Sequence, residues 1–511
     1  MSTVAFRVDI GPTVGVGHLV RCFALAQVIH ELNHTCHFWL TQYTPFVEQL
    51  FAGYPFSIAE VGLVDETSDA EFCLQQMHVH QVDTIVLDHY GLGPVWQRQV
   101  RQHCRLGVLE DRPNREYCVD WLVDPTPQRQ SHEYTQRFVQ QSQPKEKQKT
   151  KEQAQTPKLF LSADYVLVRA GFRQLQQASQ QNKKSSYAKQ AFLPRTVLIA
   201  FGGSDVHGYS QQVIHTLREA GFAGALHVVT TSLNPLLASL QQVADAHGAQ
   251  VWVDVSDMGQ LMANADLMIG ALGSTSWERA VLGLPALSLQ VADNQNDVAN
   301  FFAAIEQNWV TRSAESLMIQ LRHWLDQGIS SEQMHKRHKA LMQVCDGLGA
   351  YRVALRALRL SYDIQLQPMT LDDMDLLYQW QCEPNARRFS RQPNPPRYAD
   401  HVQWFTASIG NPQRRMWLIK LGALVCGYVR LDVLADGANG EEISILISQP
   451  LSGMGIAQNT LEAVKSLAKF GRVHAHVQTE NGASQKAFLA SGYERIEPTE
   501  YQWIAGTEYV E

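Results

Sequence analysis

The segment Gly15-Val16-Gly17-His18-Leu19-Val20-Arg21 sets an imidazole where an apolar run, residues 4–10, gives way through glycines to a helical pattern continuing past Leu25 and Val28. Glycines let the backbone turn tightly and approach a ligand, and the free N–H groups of a helix start favour an anion there. The positive end of the helix dipole disfavours imidazolium, which leaves a neutral ring able to take a proton from water; a bound diphosphate pushes the other way. Gly17 and Arg21 lie within one turn of His18 and are candidate substrate contacts. Alone, a first-turn histidine is more often a cap or a packing side chain, and an arginine one turn on is more often a surface ion-pair partner. The glycine context favours chemistry.

Other turns carry comparable chemistry. Asp88-His89-Tyr90 follows an apolar run, residues 84–87, where a parallel sheet presents side chains to its ligand crevice. Tyr90 there either orients water or a sugar hydroxyl, or covers the sheet edge. Gly202-Gly203-Ser204-Asp205 follows a second such run, residues 196–201. Residues 265–278 read as strand, glycine-bearing loop and helix start, so that Gly273, Ser274 and Thr275 offer amides and hydroxyls to a pyrophosphate. Glu278, one turn further, offers a carboxylate to two ribose hydroxyls. A Ser/Thr cap beside an exposed glutamate is the plainer reading of that segment by itself. After residues 286–290, Asp293-Asn294-Gln295-Asn296 opens another helix, so anion-friendly turns recur in successive αβ units. Residues 255–258 are a candidate pocket for the base, and Arg169 either reaches substrate from the hinge or is structural.

Towards the C-terminus, residues 441–448 alternate as a strand, and Gln449-Pro450-Leu451-Ser452-Gly453-Met454-Gly455-Ile456-Ala457 leads into an amphipathic helix, residues 459–469. Small residues at 453, 455 and 457 let the amides of Met454, Gly455, Ile456 and Ala457 wrap a pyrophosphate at a helix start. A strand at 473–478, Asn481, Ser484, a helix at 483–490 and Ser491-Gly492-Tyr493 complete the pattern. Acetylating an amine requires a neutral nucleophile, and a carboxylate acting through water can remove the ammonium proton. Strand alternation puts Glu442 with Ser444 on one face and Glu441 with Ile443 and Ile445 on the other. Glu442 is the candidate base; a solvated strand-start glutamate is the alternative.

The elements that hold these residues follow from length and patterning. At roughly 150 residues per domain, 511 residues suggest about three domains. Apolar runs at 4–10, 36–40, 84–87 and 106–109 alternate with amphipathic stretches, the signature of a parallel sheet covered by helices. A first Rossmann-like lobe is expected over residues 1–173, with a disordered Gln/Lys-rich insertion at 136–158. A polar stretch, residues 174–190, is expected to link it to a nucleotide-binding lobe over 192–360, with strands at 196–201, 226–230, 250–253, 267–269 and 286–290 and helices from 315 to 360. The texture then changes to an α+β domain over 364–505. A net charge of −7, with 43 basic and 50 acidic residues, gives no bulk positive field, so no nucleic-acid partner is expected. No apolar run approaches the roughly 18 to 20 residues that span a bilayer, so no membrane insertion is expected. No secretory signal is evident. Eight scattered cysteines, with no C-x-x-C and no zinc-ligand spacing, point to a reducing cytoplasm and no metal.

Residues 1 to about 360 resemble the inverting UDP-sugar hydrolases of pseudaminic acid biosynthesis, which remove UDP from UDP-2,4-diacetamido-2,4,6-trideoxy-β-L-altropyranose. The resemblance rests on Phe6-Arg7-Val8-Asp9, the Gly15 to Arg21 turn, Asp88 to Tyr90, Gly202 to Asp205, Gly273 to Glu278 and Asn294-Gln295. That family is similar to the two-lobed GT-B glycosyltransferases. The resemblance implies that His18 is the base for water, with Tyr90 and Asn294 at the reacting sugar and Ser274, Thr275 and Glu278 holding UDP. Glu110-Asp111 stands where relatives often carry paired aspartates. Residues 364 to about 504 resemble the GNAT N-acetyltransferases, which implies acetyl-CoA as cosubstrate. Ser452 replaces the usual Gln or Arg, and Phe488 stands where several relatives place the tyrosine that reprotonates the CoA thiolate. Tyr493 is a poor substitute, since the Gly-aromatic position usually packs. Together the resemblances imply consecutive steps on one substrate: 4-N-acetylation of UDP-4-amino-4,6-dideoxy-N-acetyl-β-L-altrosamine, then hydrolysis of the product. The alternatives are a GT-B glycosyltransferase fused to an acetyltransferase, and a non-catalytic nucleotide-sugar-binding scaffold.

Overall fold

The computed structural model describes residues 1–11, 14–62, 65–139, 156–187, 191–192, 194–384, 386–434 and 439–506. The chain divides between Leu360 and Ser361 into two compact units.

The first unit begins with seven short strands: β1 (Thr3–Val8), β2 (Thr35–Leu40), β3 (Ser57–Glu60), β4 (Thr84–Asp88), β5 (Arg105–Leu109), β6 (Trp121–Asp124) and β7 (Lys158–Leu161). They form one parallel sheet in the order β3-β2-β1-β4-β5-β6-β7. Helices cover both faces of such a sheet, so its inner strands are apolar throughout rather than alternating; all five residues of β4 are buried. Strand order reverses between β1 and β4, and the loops leaving their carboxyl ends open a crevice at that switch point.

A second lobe repeats the plan. After a two-residue strand β8 (Ala191–Phe192) come β9 (Thr196–Ala200), β10 (Ala225–Thr230), β11 (Ala249–Val253), β12 (Leu267–Ala271), β13 (Ala286–Leu289) and β14 (Val310–Thr311), parallel in the order β11-β10-β9-β12-β13-β14. β15 (Ile329–Ser330) pairs antiparallel with β8. The switch point lies between β9 and β12, and residues from both crevices line one cleft, as expected of two Rossmann-like lobes in a GT-B arrangement. The segment beginning Gly349–Arg352 returns to the first lobe, where Tyr351 donates to Glu31 and Arg105 donates to the carbonyls of Ala357 and Leu358.

Two expectations need correction or restriction. The polar stretch 174–190 is not a loose linker: residues Ala170–Tyr187 form a helix. Its polar side chains are put to structural use, with Ser179 donating to the Leu282 carbonyl and buried Lys183 donating to Ser179 and to the Met262 and Ala263 carbonyls. Residues 188–190 lie outside the described residues. Of the expected disordered insertion, residues 140–155 also lie outside them; its first residues are ordered, Phe138 bridging to Tyr117.

The second unit is a mixed seven-stranded sheet: β16 (Gln365–Pro368), β17 (Arg414–Leu421), β18 (Leu424–Val433), β19 (Glu441–Ile447), β20 (Arg472–His476), β21 (Glu494–Glu497) and β22 (Glu500–Ile504), in the order β16-β17-β18-β19-β20-β22-β21. Only β19 and β20 run parallel. One face packs against helices through Leu377, Trp380, Phe405, Met416 and Leu418. It is the α+β GNAT fold expected of this region.

A buried ion pair anchors the helix that follows β12, Ser274–Val281. Arg279 donates twice to Glu306, at 2.9 and 2.6 Å, and Glu306 also accepts from the Ala286 amide at 2.8 Å. Both side chains are shut off from solvent. Glu306→Ala leaves the buried Arg279 guanidinium without its counter-charge, with the Leu284 carbonyl as its remaining acceptor, and the Ala286 amide without that acceptor; it should cost about 3–5 kcal/mol, measured as an early loss of the second lobe in urea unfolding followed by tryptophan fluorescence.

Candidate active sites

The cleft of the first unit encloses about 700 Å³. On its first-lobe side the helix Gly17–Glu31 begins at Val16 with no side-chain cap, so its first-turn amides are not satisfied by a neighbouring side chain. On the second-lobe side the helix Ser274–Val281 begins at Gly273, again without a side-chain cap. The two starts meet: a Cβ built on Gly17 would lie 3.8 Å from Ser274 Oγ. Asp205 caps a third helix through the Tyr209 and Ser210 amides at 3.0 and 2.9 Å. Two uncapped helix starts facing one another form a concentrated site for an anion.

His18 lies in the first turn, largely buried, with Nδ1 2.8 Å from Asp88 Oδ1. Asp88 ends β4 and is wholly buried. Arg21 donates to both of its oxygens at 2.5 Å. Burial alone would raise the Asp88 carboxyl, but the Arg21 guanidinium and His18 more than reverse this and hold it well below the usual carboxylate range. An ionised Asp88 accepts from His18 Nδ1–H, which fixes the tautomer and leaves Nε2 as the proton acceptor. His18 lines the cleft.

The network continues. Arg21 also donates to Asp111 Oδ2 at 3.2 Å, Tyr90 donates to Asp111 Oδ1 at 2.7 Å, and Asn294 of the second lobe donates to the Tyr90 oxygen at 3.3 Å. Burial first, then the Asp111 carboxylate, push the Tyr90 phenol up, so it stays a neutral hydroxyl. The Tyr90 ring meets His18 edge-on at 4.7 Å, and Arg112 lies over its face at 3.8 Å. Among the expected contacts, Arg21 is thus spent on two carboxylates. Arg169 pairs with Glu278 Oε1 at 2.8 Å and donates to the Ser256 carbonyl, and among the described residues Glu278 Oε2 has no hydrogen-bond partner. Gln295 accepts from the Val291 amide. Ser274, Thr275, Val255 and Met258 line the cleft. Asp88 and Asp111 stand out in the sequence only as part of the Asp88-His89-Tyr90 triplet and the Glu110-Asp111 pair, with no role assigned to either, and Arg112 does not stand out at all. Asp88 had a usable signal, since it heads the Asp-His-Tyr triplet at a switch-point strand end; the partners of Asp111 and Arg112 come from distant loops.

In the second unit, β19 pairs with β18 along its length but with β20 only at Glu441 and Glu442, so the two parallel strands part beyond that point and leave a wedge. The loop after β19 turns through Gly453 and Gly455, at φ +73° and +84°, values that favour glycine. Gly455 caps the helix Ile456–Lys465 without a side-chain hydrogen bond, which leaves the amides of Ile456 and Ala457 at an open helix start. Tyr362 donates to the Met454 carbonyl at 2.8 Å and pins the loop. Asn481 caps the helix Gly482–Ala490 by accepting from the Ser484 amide. Glu441 is buried and holds Arg415 and the Lys469 amide, whereas Glu442 is partly exposed, with Oε1 2.7 Å from Arg391. Phe488 is buried against Tyr493 and Tyr501. Among the described residues no group of three or more His, Cys, Asp or Glu side chains is placed to hold a metal ion, and no helix is long and apolar enough to cross a membrane.

Residues 363–494 match the family model of the acetyltransferase (GNAT) domain. An uncharacterized protein of Methanocaldococcus jannaschii is 22% identical, the match covering 98% of this chain and 99% of that protein. The UDP-2,4-diacetamido-2,4,6-trideoxy-beta-L-altropyranose hydrolase of Campylobacter jejuni is 20% identical over 59% of this chain and 96% of its own. Among solved structures, MurG of Acinetobacter baumannii is 15% identical, covering 70% of this chain and 100% of its own with a TM-score of 0.44. The chain joins a unit of two Rossmann-like lobes, consistent with a GT-B arrangement, to a GNAT acetyltransferase domain.

The Asp88 cluster has a measurable signature. A carboxyl depressed in the folded state adds stability above its ordinary range, near pH 4, and that stability is lost as the pH falls through the folded value. Asp88→Asn should cost about 3–5 kcal/mol at neutral pH and, in calorimetric melting followed down to about pH 2, show a shallower acid decline than the wild type. Parallel declines would mean that Asp88 is not held ionised.

Proposed function

We propose that this chain is a two-activity enzyme of nucleotide-sugar metabolism, working in a reducing cytoplasm. The first unit breaks the anomeric C–O bond of a UDP-sugar with inversion, and the second transfers an acetyl group from acetyl-CoA to an amine. The observation that carries the first half is the Arg21–Asp88–His18 relay beside two facing helix starts.

In the first unit the uncapped Ser274–Val281 helix start and its Ser274 and Thr275 hydroxyls bind the diphosphate, and Glu278 Oε2 accepts from ribose. His18 Nε2 takes a proton from water as the water oxygen bonds to C1; the C1–O bond to phosphate breaks on the opposite face, and UDP leaves with the electron pair. Asp88 stabilises the imidazolium that forms. Tyr90 and Asn294 position the sugar. The likeness to the Campylobacter hydrolase over nearly all of that enzyme supports water as the acceptor.

In the second unit the amides of Met454 to Ala457 hold the CoA pyrophosphate, and the pantetheine lies in the wedge between β19 and β20. Glu442, through the oxygen not shared with Arg391, removes the ammonium proton by way of water; the amine nitrogen then attacks the thioester carbonyl and CoA thiolate leaves. The substrate that joins the two halves is UDP-4-amino-4,6-dideoxy-N-acetyl-β-L-altrosamine, whose acetylated product is the substrate of the first unit.

A second reading keeps the same bond cleavage but passes the sugar to an alcohol. It is favoured by the cleft lying between two Rossmann-like lobes, the arrangement of glycosyltransferases, and His18 would deprotonate a hydroxyl as readily as water.

Mass-spectrometric analysis of purified protein with the UDP-amino sugar and acetyl-CoA should show CoA, UDP and the free diacetamido sugar, with oxygen from labelled water at C1. UDP release only when a hydroxyl acceptor is added would establish the transferase; tight binding of UDP-sugar with no turnover would establish a scaffold. His18→Ala should lower UDP release by about 10²–10⁴ and leave acetyl transfer intact. Glu442→Gln should do the reverse, lowering acetyl transfer with a shift of its pH profile while UDP release from preacetylated sugar is unchanged.

A further inference from the structure

The guanidinium groups around the cleft are nearly all engaged. Arg21 is held by Asp88 and Asp111, Arg169 by Glu278 and the Ser256 carbonyl, Arg115 by Glu110 and Arg129 by Asp124, Glu133 and Asp297. Arg112, which lines the cleft, is different: its side chain makes no hydrogen bond among the described residues. Its Nε is buried without a hydrogen-bond partner, Asp111 Oδ1 lies 3.9 Å away at ion-pair but not hydrogen-bond distance, and the side chain as a whole is 40% exposed. That oxygen already accepts from Tyr90. Arg112 is nevertheless held in place, stacked 3.8 Å over the Tyr90 ring whose edge meets His18. One tyrosine ring therefore separates an unspent set of donors from the proposed base. The Nη groups of this cleft-lining side chain are not sealed off as Nε is, and a guanidinium only donates, so the group this position fits is an acceptor oxygen on the ligand.

We propose that Arg112 recognises the carbonyl oxygen of an acylamino substituent on the sugar and so makes the first unit selective for acylated over free-amine sugars. The proposal rests on the reading of the first unit as a UDP-sugar-cleaving enzyme. It follows from the difference between the second unit's substrate and product. Acetylation replaces an ammonium, which carries only donors and a positive charge, by an amide, which presents a carbonyl acceptor. Against Arg112 the ammonium meets donors and a like charge, whereas the amide oxygen satisfies the guanidinium. Acetylation must then precede UDP release, because the cleft itself discriminates against the unacetylated sugar. The diphosphate, bound at the second-lobe helix start, is not part of this contact.

The test compares kcat/KM for UDP release from a UDP-2-acetamido-4-amino-2,4,6-trideoxyhexose and from its 4-N-acetyl derivative, with UDP as a competing ligand. The wild type should prefer the acetylated sugar by about 100-fold or more, in the range set by a buried polar group left unpaired. Arg112→Gln should shrink that preference by about tenfold or more, chiefly through a higher KM for the acetylated sugar, with inhibition by UDP alone unchanged; Arg112→Lys, keeping donors and charge, should restore part of it. An unchanged preference in Arg112→Gln with a wild-type melting temperature overturns the proposal. Weakened inhibition by UDP would make Arg112 a phosphate ligand and overturn it equally. A wild type that releases UDP from neither sugar would instead overturn the reading on which the proposal rests.

Discussion

A wholly buried carboxylate is tolerable only where charge and hydrogen bonds surround it, and Asp88 is such a group. Arg21 meets both oxygens and His18 one of them, so a strand end and the first two turns of the neighbouring helix are locked by one anion. The lock has two chemical consequences. It aligns the His18 ring and fixes its tautomer, and it commits Arg21 so fully that the arginine braces the site rather than binding ligand. Through Asp111 and Tyr90 the same order reaches Asn294, a residue of the opposite lobe. Replacing Asp88 by any uncharged side chain would leave Arg21 with Asp111 as its one carboxylate and take the charged partner away from His18 Nδ1, which would keep its contact with the main-chain carbonyl of residue 88.

The two lobes divide the chemistry by the kind of group each supplies. The first brings a side-chain relay that can move a proton. The second brings a helix start whose dipole and amides suit a diphosphate, anchored from behind by the buried Arg279–Glu306 pair. Neither lobe would suffice: a base without charge stabilisation for the leaving group, or an anion site without a base, gives binding or slow chemistry. A Cβ at Gly17 would lie 3.8 Å from Ser274 Oγ, an ordinary contact, so the two helix starts are close neighbours at the position just before the histidine.

The sequence made much of this legible because several features are local. Apolar runs of buried parallel strands announced the two sheets, and turns at strand ends announced the switch points where His18, Tyr90, Ser274 and Asn294 gather. The short strands β3, β6, β7 and β14 escaped notice, having two to four residues each and little periodicity to read. The helix Ala170–Tyr187 escaped because its composition is that of a linker; only tertiary contacts show that Ser179 and Lys183 bond to the carbonyls of Leu282, Met262 and Ala263. Arg112 was invisible for a similar reason, and Asp111 showed only as half of the Glu110-Asp111 pair, its partners unread. Their meaning depends on which rings and charges lie across a loop, and no spacing along the chain encodes that.

In the second unit the reverse holds, and the reason is chemical. Its ligand groove is made of backbone: a strand that parts from its neighbour, and amides exposed by two glycines at positive φ, with Tyr362 pinning the loop. Backbone geometry constrains glycine spacing strongly and side chains weakly, so the motif survives even with Ser452 in place of a longer polar residue. The same reasoning covers Phe488, buried against Tyr493 and Tyr501 where a proton donor could have stood. A thiolate, whose conjugate thiol has a pKa near 8.5, is a far weaker base than an alkoxide, so on the proposed reading CoA departs as thiolate without a dedicated acid. Binding and deprotonating the amine are then the steps that need protein side chains, and they place the chemical demand on Glu442 rather than on the helix that carries Phe488.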